Sequence, residues 1–307
     1  MMPLGSALHH LLNRSGILEI IGGWMPGEVF PAFFEMEMLQ RALIASVLVT
    51  VVAGLYGTYL MLRNLSLIGD GLAHVSFGGV AVGVTVGAVA PLWYALGFSI
   101  VASIIIYELQ SREIVTGDTS IAIFLTGMLA FGLVILRLYS QGITTDIEGY
   151  LFGSLVLIDT YSLNLITWIS FFALLGLALF HRALLAITVD HVAARMQGIP
   201  VHVVGLWFSI TVATIVVSMV QVIGALLVTA LLVTPAATAQ LISRSFRGSL
   251  LWTQVFGLSA TFVGLYLSAE LNTGSGSMIA LVAAFIFATV GVLKLANTHI
   301  KPFDSSQ

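Results

Sequence analysis

Apolar stretches of about 20 residues follow one another along most of the chain, and this pattern restricts the fold more than any other feature. A helix needs roughly 20 mostly apolar residues to cross a bilayer. Nine such stretches are present, or eight if residues 203–242 are divided differently. We therefore expect an all-α polytopic membrane protein of eight to nine transmembrane helices, in the cell membrane as a multi-pass protein. The predicted spans are 40–62, 66–90, 91–110, 119–138, 161–180, 203–220, 222–242, 250–270 and 277–296.

The composition excludes a soluble protein. Charged residues make up 8% of the chain and hydrophobic residues 59%, whereas a typical soluble domain is about 25% charged. So few charges cannot cover a water-exposed surface. The net charge of −3 gives no basic surface, so membrane lipid is an expected partner and nucleic acid is not. Because the chain has no cysteine, a metal site has to use histidine, carboxylate or backbone oxygen.

The connections between spans suggest the domain organisation. Most basic residues lie in alternate connections, which the positive-inside rule places in the cytoplasm, and this puts the N-terminus outside. Residues 39–298 are expected to form a single transmembrane domain, with a cytoplasmic loop at 181–202. Residues 1–38 lack the pattern of a signal peptide and are expected to form an interfacial or disordered leader. Residues 299–307 are expected to form a cytoplasmic tail.

Two ionisable residues lie near the start of the second predicted span. Asp70 and His74 are four residues apart, so on a helix they share one face, about one turn apart. A carboxylate oxygen and an imidazole nitrogen at this spacing can bind the same divalent cation. The residues leave a structural alternative open, in which Asp70 caps the helix start and His74 hydrogen-bonds a neighbouring carbonyl.

The 181–202 loop contains a candidate short helix. Asp190 can cap a helix of about two turns, which Gly198 and Pro200 would end. Such a helix between two spans is well placed to dock onto another protein. A plain solvated connection fits the local sequence equally well.

Pro235 interrupts the seventh predicted span. A proline inside a helix frees carbonyl groups and favours a kink, and the threonines nearby can satisfy part of the freed backbone. Small residues follow Pro235 closely, which suits tight packing or a cavity wall.

No catalytic pattern is present in the sequence. It lacks the G-x-x-x-x-G-K-[ST] loop that holds ATP phosphates and the H-E-x-x-H helix of zinc proteases. The residues therefore give no catalytic constellation, and no enzymatic activity is expected of this chain.

Four motifs resemble the permeases of zinc/manganese-type ABC importers. Ser66–His74 resembles the family's S-L-x-G-D-A-L-S-H segment, and Tyr150–Ser154 resembles its Y-L-F-G-S element. Asp190–Pro200 is similar to the D-x-x-x-A-R-x-x-G-I-P helix, and Val222–Ala239 to the V-G-x-L-L-V-x-A-L-L-x-x-P-A-A-T-A span. The motifs occur in the family's order and spacing, and the resemblance covers about residues 40–296.

The resemblance implies a type II importer that takes up a divalent metal ion. Two copies of the chain would form the pathway, two separate ATP-binding cassette subunits would hydrolyse ATP, and an extracellular or periplasmic metal-binding protein would deliver the ion. Asp70 and His74 match the positions where the family binds its ion in transit. The segment from Asp190 to Gly198 would be the coupling helix seated on the ATPase, through Asp190, Ala194, Arg195 and Gly198.

The ion is expected to be the transported substrate, with no permanently bound cofactor. An Asp/His pair accepts zinc or manganese, and the general affinity order favours zinc. The sequence departs from the family motif at Gly71 and Ala73 and at Phe77-Gly78-Gly79, but both candidate ligands are present. On these grounds zinc is the expected ion and manganese the next.

Two other functions remain open at this point. A permease for a metal chelate, such as a siderophore or cobalamin, would have a wide cavity without ion ligands, so Asp70 and His74 argue against it. A secondary metal transporter acting without ATP would be built from inverted repeats with broken helices. Residues 160–296 contain no convincing counterpart of the Asp70/His74 segment.

Overall fold

The computed structural model describes residues 4–14, 22–23, 25–88, 90–139, 149–151, 153 and 158–300. All regular elements within these ranges are helical, which confirms the all-α prediction. We number the α-helices α1 to α13 in chain order. They are α1 (Leu4–Arg14), α2 (Ala32–Glu35), α3 (Glu37–Leu62), α4 (Ile68–Thr85), α5 (Leu92–Ser111), α6 (Gly117–Tyr139), α7 (Thr160–Val189), α8 (His191–Met196), α9 (Val201–Ile223), α10 (Val228–Leu232), α11 (Thr234–Ile242), α12 (Phe246–Glu270) and α13 (Ser275–Ile300).

Seven helices in the described part of the chain are long and apolar enough to cross a membrane: α3, α5, α6, α7, α9, α12 and α13. The other two predicted spans are also helical but differ in form. The 66–90 span is the shorter α4, an 18-residue helix that carries Asp70, His74 and several glycines. The 222–242 span is divided into a short 3₁₀ turn, α10 and α11.

The division of the 222–242 span has two local causes. At Gly224 the backbone has φ +83°, a conformation that glycine adopts without steric cost, and α9 ends there. A 3₁₀ turn at Ala225–Leu227 leads into α10. Pro235 lies in the first turn of α11, where its missing N–H is tolerated, and Val233 between α10 and α11 keeps helical dihedrals, so the two helices are separated by a single residue. Gly153 lies beside this break, and a Cβ on it would be 2.5 Å from the carbonyl carbon of Ile223.

Helix α4 is packed between α5 and α6 through its glycines. A Cβ on Gly79 would be 2.8 Å from Cα of Ala95, and one on Gly83 would be 2.9 Å from Cα of Pro91. Small residues at these positions let the helix backbones approach closely. This packing holds the Asp70/His74 helix inside the bundle, where 14 of its 18 residues are buried.

The described part of residues 1–38 is attached to the helix bundle. The backbone N–H of Ser6 donates to Oδ1 of Asn164 on α7 at 2.9 Å. Nε2 of His9 lies 2.9 Å from Oε1 of Gln40, whose Nε2 donates to the carbonyl oxygen of Phe34. Helix α1 therefore binds to the starts of α7 and α3. The predicted interfacial placement of this leader stays a prediction, and residues 1–3, 15–21 and 24 lie outside the described ranges.

Glu270 makes a second attachment. Its carboxylate at the end of α12 accepts hydrogen bonds from the backbone N–H groups of Val29 and Phe30 at 3.0 Å, and from that of Glu28 at 3.3 Å. Phe30 is buried and packs against the ring of Tyr266. The residues before α3 are thus fixed to α12 as well. At the other end of the chain, the predicted tail falls on residues 301–307, outside the described ranges, apart from the last two residues of α13.

Candidate metal site and coupling helix

Helix α4 places Asp70 and His74 one turn apart on the same face. The helix begins after Leu67 without a side-chain cap, so Asp70 does not act as its N-cap. Asp70 lies in the first turn, where a negative charge interacts favourably with the helix dipole. Its side chain is half-buried and free to point toward a neighbouring helix.

The neighbour that Asp70 contacts is α10. Oγ1 of Thr229 donates a hydrogen bond to Oδ1 of Asp70, across 159 positions of sequence. The sequence pattern predicted only a backbone role for the threonines of this segment and did not single out Thr229. Its position in the sequence could have identified it, because Thr229 is the only polar residue in the apolar run from Ala225 to Val233.

His74 is buried, with 7% of its surface exposed, and its Nδ1 has no hydrogen-bond partner among the described residues. A buried polar atom without a partner costs about 1–3 kcal/mol, so nearly all such atoms in native proteins are paired. The predicted alternative, a bond from His74 to a neighbouring carbonyl, does not satisfy this nitrogen. An unpaired imidazole nitrogen beside a carboxylate on the same helix face suits a cation that both can bind.

Glycines on both sides of Asp70 allow neighbouring helices to approach the α4 backbone closely. A Cβ on Gly69 would be 2.8 Å from the Leu232 side chain, and one on Gly71 would be 2.7 Å from that of Ile121. These two glycines let α10 and α6 approach α4 on either side of the carboxylate. Gly71 stands where the family motif has alanine, and an alanine here would require the Ile121 side chain to shift.

A single copy of the chain supplies a small ligand set. Within the described ranges, no group of three or more His, Cys, Asp or Glu side chains lies close enough to hold a metal ion. Asp70 and His74 are therefore two candidate ligands, fewer than the four to six that most divalent ions take. Water or a second copy of the chain would have to supply others for a complete site.

A cavity of about 600 Å³ opens near the start of α4, lined among others by Ile68 and by Arg195 of α8. Its charged groups are largely matched with one another. Glu108 accepts from Nε of Arg112 at 3.0 Å and lies 3.2 Å from Nε2 of His202. The guanidinium of Arg63 lies 5.1 Å above the ring of Phe208. The cavity thus lies between the start of α4 and the α8 helix, with Glu108 and His202 paired at its wall.

The short helix predicted after Asp190 is α8. Oδ1 of Asp190 accepts from the backbone N–H groups of Val192 at 2.8 Å and Ala193 at 3.0 Å. These two bonds lower the pKa of the Asp190 carboxyl below its ordinary value. A lowered pKa means that the ionised cap is fully formed at neutral pH and is lost only as pH falls through that lowered value.

The end of α8 is set by Gly198. Its φ of +80° is readily adopted by glycine, and the N–H of Ile199 donates to the carbonyl oxygen of Ala194 at 3.2 Å. Ala194 is buried, whereas Arg195 is exposed. Val192 and Met196 are 55% and 85% exposed, so α8 presents apolar side chains away from the bundle. An exposed apolar surface of this kind suits contact with a partner protein.

Comparison with known proteins places these features in one family. Residues 35–294 match the ABC 3 transport family. The chain is 30% identical over 260 residues to the manganese import system permease protein ScaB of Streptococcus gordonii, covering 85% of this chain and 92% of that protein. It is 32% identical over 259 residues to the manganese transport system membrane protein MntC of Halalkalibacterium halodurans, covering 84% and 88%.

The fold comparison agrees. The chain superposes on PsaBC from Streptococcus pneumoniae, solved in complex with a Fab, with a TM-score of 0.72 and 30% sequence identity. The superposition covers 82% of this chain and 90% of that one. Asp70, His74 and α8 all lie within the residues that match the family, 35–294. Helix α1 precedes that range, although its partner Gln40 lies inside it.

Proposed function

This chain belongs to the ABC 3 transport family, and from that membership we propose that it is the membrane permease of an importer for a divalent metal ion. The observation that carries the proposal is the pair of Asp70 and the buried, unpaired Nδ1 of His74 on one face of α4. A separate ATP-binding subunit supplies the energy, since the sequence has no phosphate-binding loop of its own.

We propose manganese as the transported ion. The similar proteins ScaB and MntC are named for manganese import or transport. The Asp70 carboxylate and bound water are ligands that suit Mn²⁺, and an imidazole beside them does not exclude that ion. The affinity order alone favoured zinc, and none of the named relatives supports that preference.

A homodimer would complete the site. Two copies of the chain, facing each other with α4 and α10 near the dimer axis, would supply two carboxylates and two imidazoles to one ion. Four protein ligands with room for water suit a site that an ion occupies briefly. A modest affinity also suits transport, because the ion has to leave.

The α8 helix would couple ATP binding by the partner subunit to movement of the permease. We propose that it docks onto an ATP-binding cassette subunit through its exposed apolar side chains, and that ATP binding draws the two α8 helices together. The two copies would then rock between outward-facing and inward-facing states. A metal-binding protein outside the membrane would deliver the ion.

The test is metal accumulation in cells that lack their own uptake systems, with the chain co-expressed with its ATPase and binding protein. Manganese, zinc and iron are measured together by mass spectrometry. We expect manganese to accumulate above the level in cells without the permease. Selective accumulation of zinc would overturn the ion assignment, and accumulation of no metal despite an assembled complex would favour a chelate permease.

The docking role of α8 gives a separate prediction. We expect Val192→Glu together with Met196→Glu to abolish co-purification of the ATPase, because two buried charges would replace apolar contacts. Leu11→Glu on α1 is the matched control, since Leu11 is also exposed and apolar but lies on a different helix. Full ATPase recovery with the α8 double variant would rule out this docking surface.

A further inference from the structure

We propose that Thr229 is a positioning residue that holds the Asp70 carboxylate in its ion-binding orientation. This inference rests on the proposed function, because it assumes that Asp70 binds the transported ion. Thr229 lies on α10 and Asp70 on α4, and the hydroxyl of the first donates to Oδ1 of the second. This hydrogen bond links the predicted ligand Asp70 to α10, a helix that has no histidine or carboxylate of its own.

This bond gives the two oxygens of the Asp70 carboxylate different roles. Oδ1 is occupied by the threonine hydroxyl, and Oδ2 is left for an ion. A carboxylate held in this way cannot rotate freely, so less conformational entropy is lost when the ion binds. Hydrogen-bonded partners of metal ligands act in the same way elsewhere, and their removal typically lowers metal affinity about 10–100-fold.

Packing fixes the position of Thr229. Val228, Leu231 and Leu232 of α10 are all buried. The Leu232 side chain rests against Gly69 of α4, and its carbonyl oxygen occupies the space beside Gly57 of α3. Packing of Leu232 against α4 and α3 therefore fixes α10 in the position from which the Thr229 hydroxyl reaches Asp70.

The test compares four variants in the permease–ATPase complex, with Mn²⁺ binding followed by electron paramagnetic resonance and uptake measured in cells. Thr229→Val keeps the side-chain shape but removes the hydroxyl, and we expect it to weaken Mn²⁺ binding about tenfold. Uptake at a subsaturating manganese concentration is expected to fall by a similar factor. Thr229→Ser keeps the hydroxyl and is expected to stay within about twofold of the parent.

Thr238→Val is the matched control. Thr238 is a buried threonine of α11 whose hydroxyl bonds to the carbonyl oxygen of Thr234, away from Asp70. We expect this variant to bind and transport like the parent. Parental uptake by Thr229→Val, or equal losses in Thr229→Val and Thr229→Ser, would overturn the positioning role. Uptake that survives Asp70→Ala would instead contradict the proposed function, so the two failures are distinguishable.

Discussion

Asp70→Ala and His74→Ala are each expected to reduce metal uptake to the level of cells without the permease, while the protein still assembles with its ATPase. Each change removes one of the two candidate ligands that a single copy supplies, and in a homodimer it removes two of four. Neither residue is needed to start α4, which begins after Leu67 without a side-chain cap. The measurement is the initial rate of manganese uptake, normalised to the amount of complex in the membrane.

Matched controls come from exposed residues of the same types. Asp118→Ala on α6 and His181→Ala on α7 remove a carboxylate and an imidazole from exposed positions elsewhere in the described chain. Both are expected to transport at the parental rate. If His74→Ala also transports at that rate, the pair on α4 is not the ion site.

Gly57→Ala is expected to have the largest effect on stability. A Cβ at this position would overlap the carbonyl oxygen of Leu232, which is backbone and cannot rotate away. The α3 and α10 backbones would have to separate, and overpacking of this kind costs about 1–3 kcal/mol, occasionally more. We expect a lower melting temperature of the purified complex and less folded protein in the membrane.

Gly97→Ala is the comparison for that change. Gly97 lies on α5, and a Cβ there would meet no atom within 4 Å. Alanine also favours helix over glycine by about 1 kcal/mol, so this variant is expected to be at least as stable as the parent. Equal melting temperatures for the two variants would show that α3 and α10 are not packed as closely as described.

The features predicted from the sequence are those set by local chemistry. The apolar stretches predicted the positions of the helices, because the length of a span follows from the thickness of a bilayer. The spacing of Asp70 and His74 placed them on one face of α4, because helix periodicity is local. Asp190 and Gly198 defined α8 for the same reason, since a capping side chain and a positive φ act within a few residues.

The features that the sequence did not predict depend on distant contacts. The bond from Thr229 to Asp70 joins residues 159 positions apart, and those from Phe30 and Val29 to Glu270 span about 240 positions. No local pattern identifies such partners before the helices are packed. The predicted length of the second span was also too great, because Gly87, with φ +71°, follows the end of α4 at Thr85.

The residues before position 35 act as a brace at one end of the bundle. A shortened chain that began at residue 35 would keep Asp70, His74 and Asp190. It would lose the bonds that Glu270 and Gln40 make to the preceding backbone and to His9. Relatives without this segment would then share the chemistry of the site but differ in stiffness. The segment would influence how readily the starts of α3 and α7 move apart from the end of α12, and hence the rate of opening rather than the choice of ion.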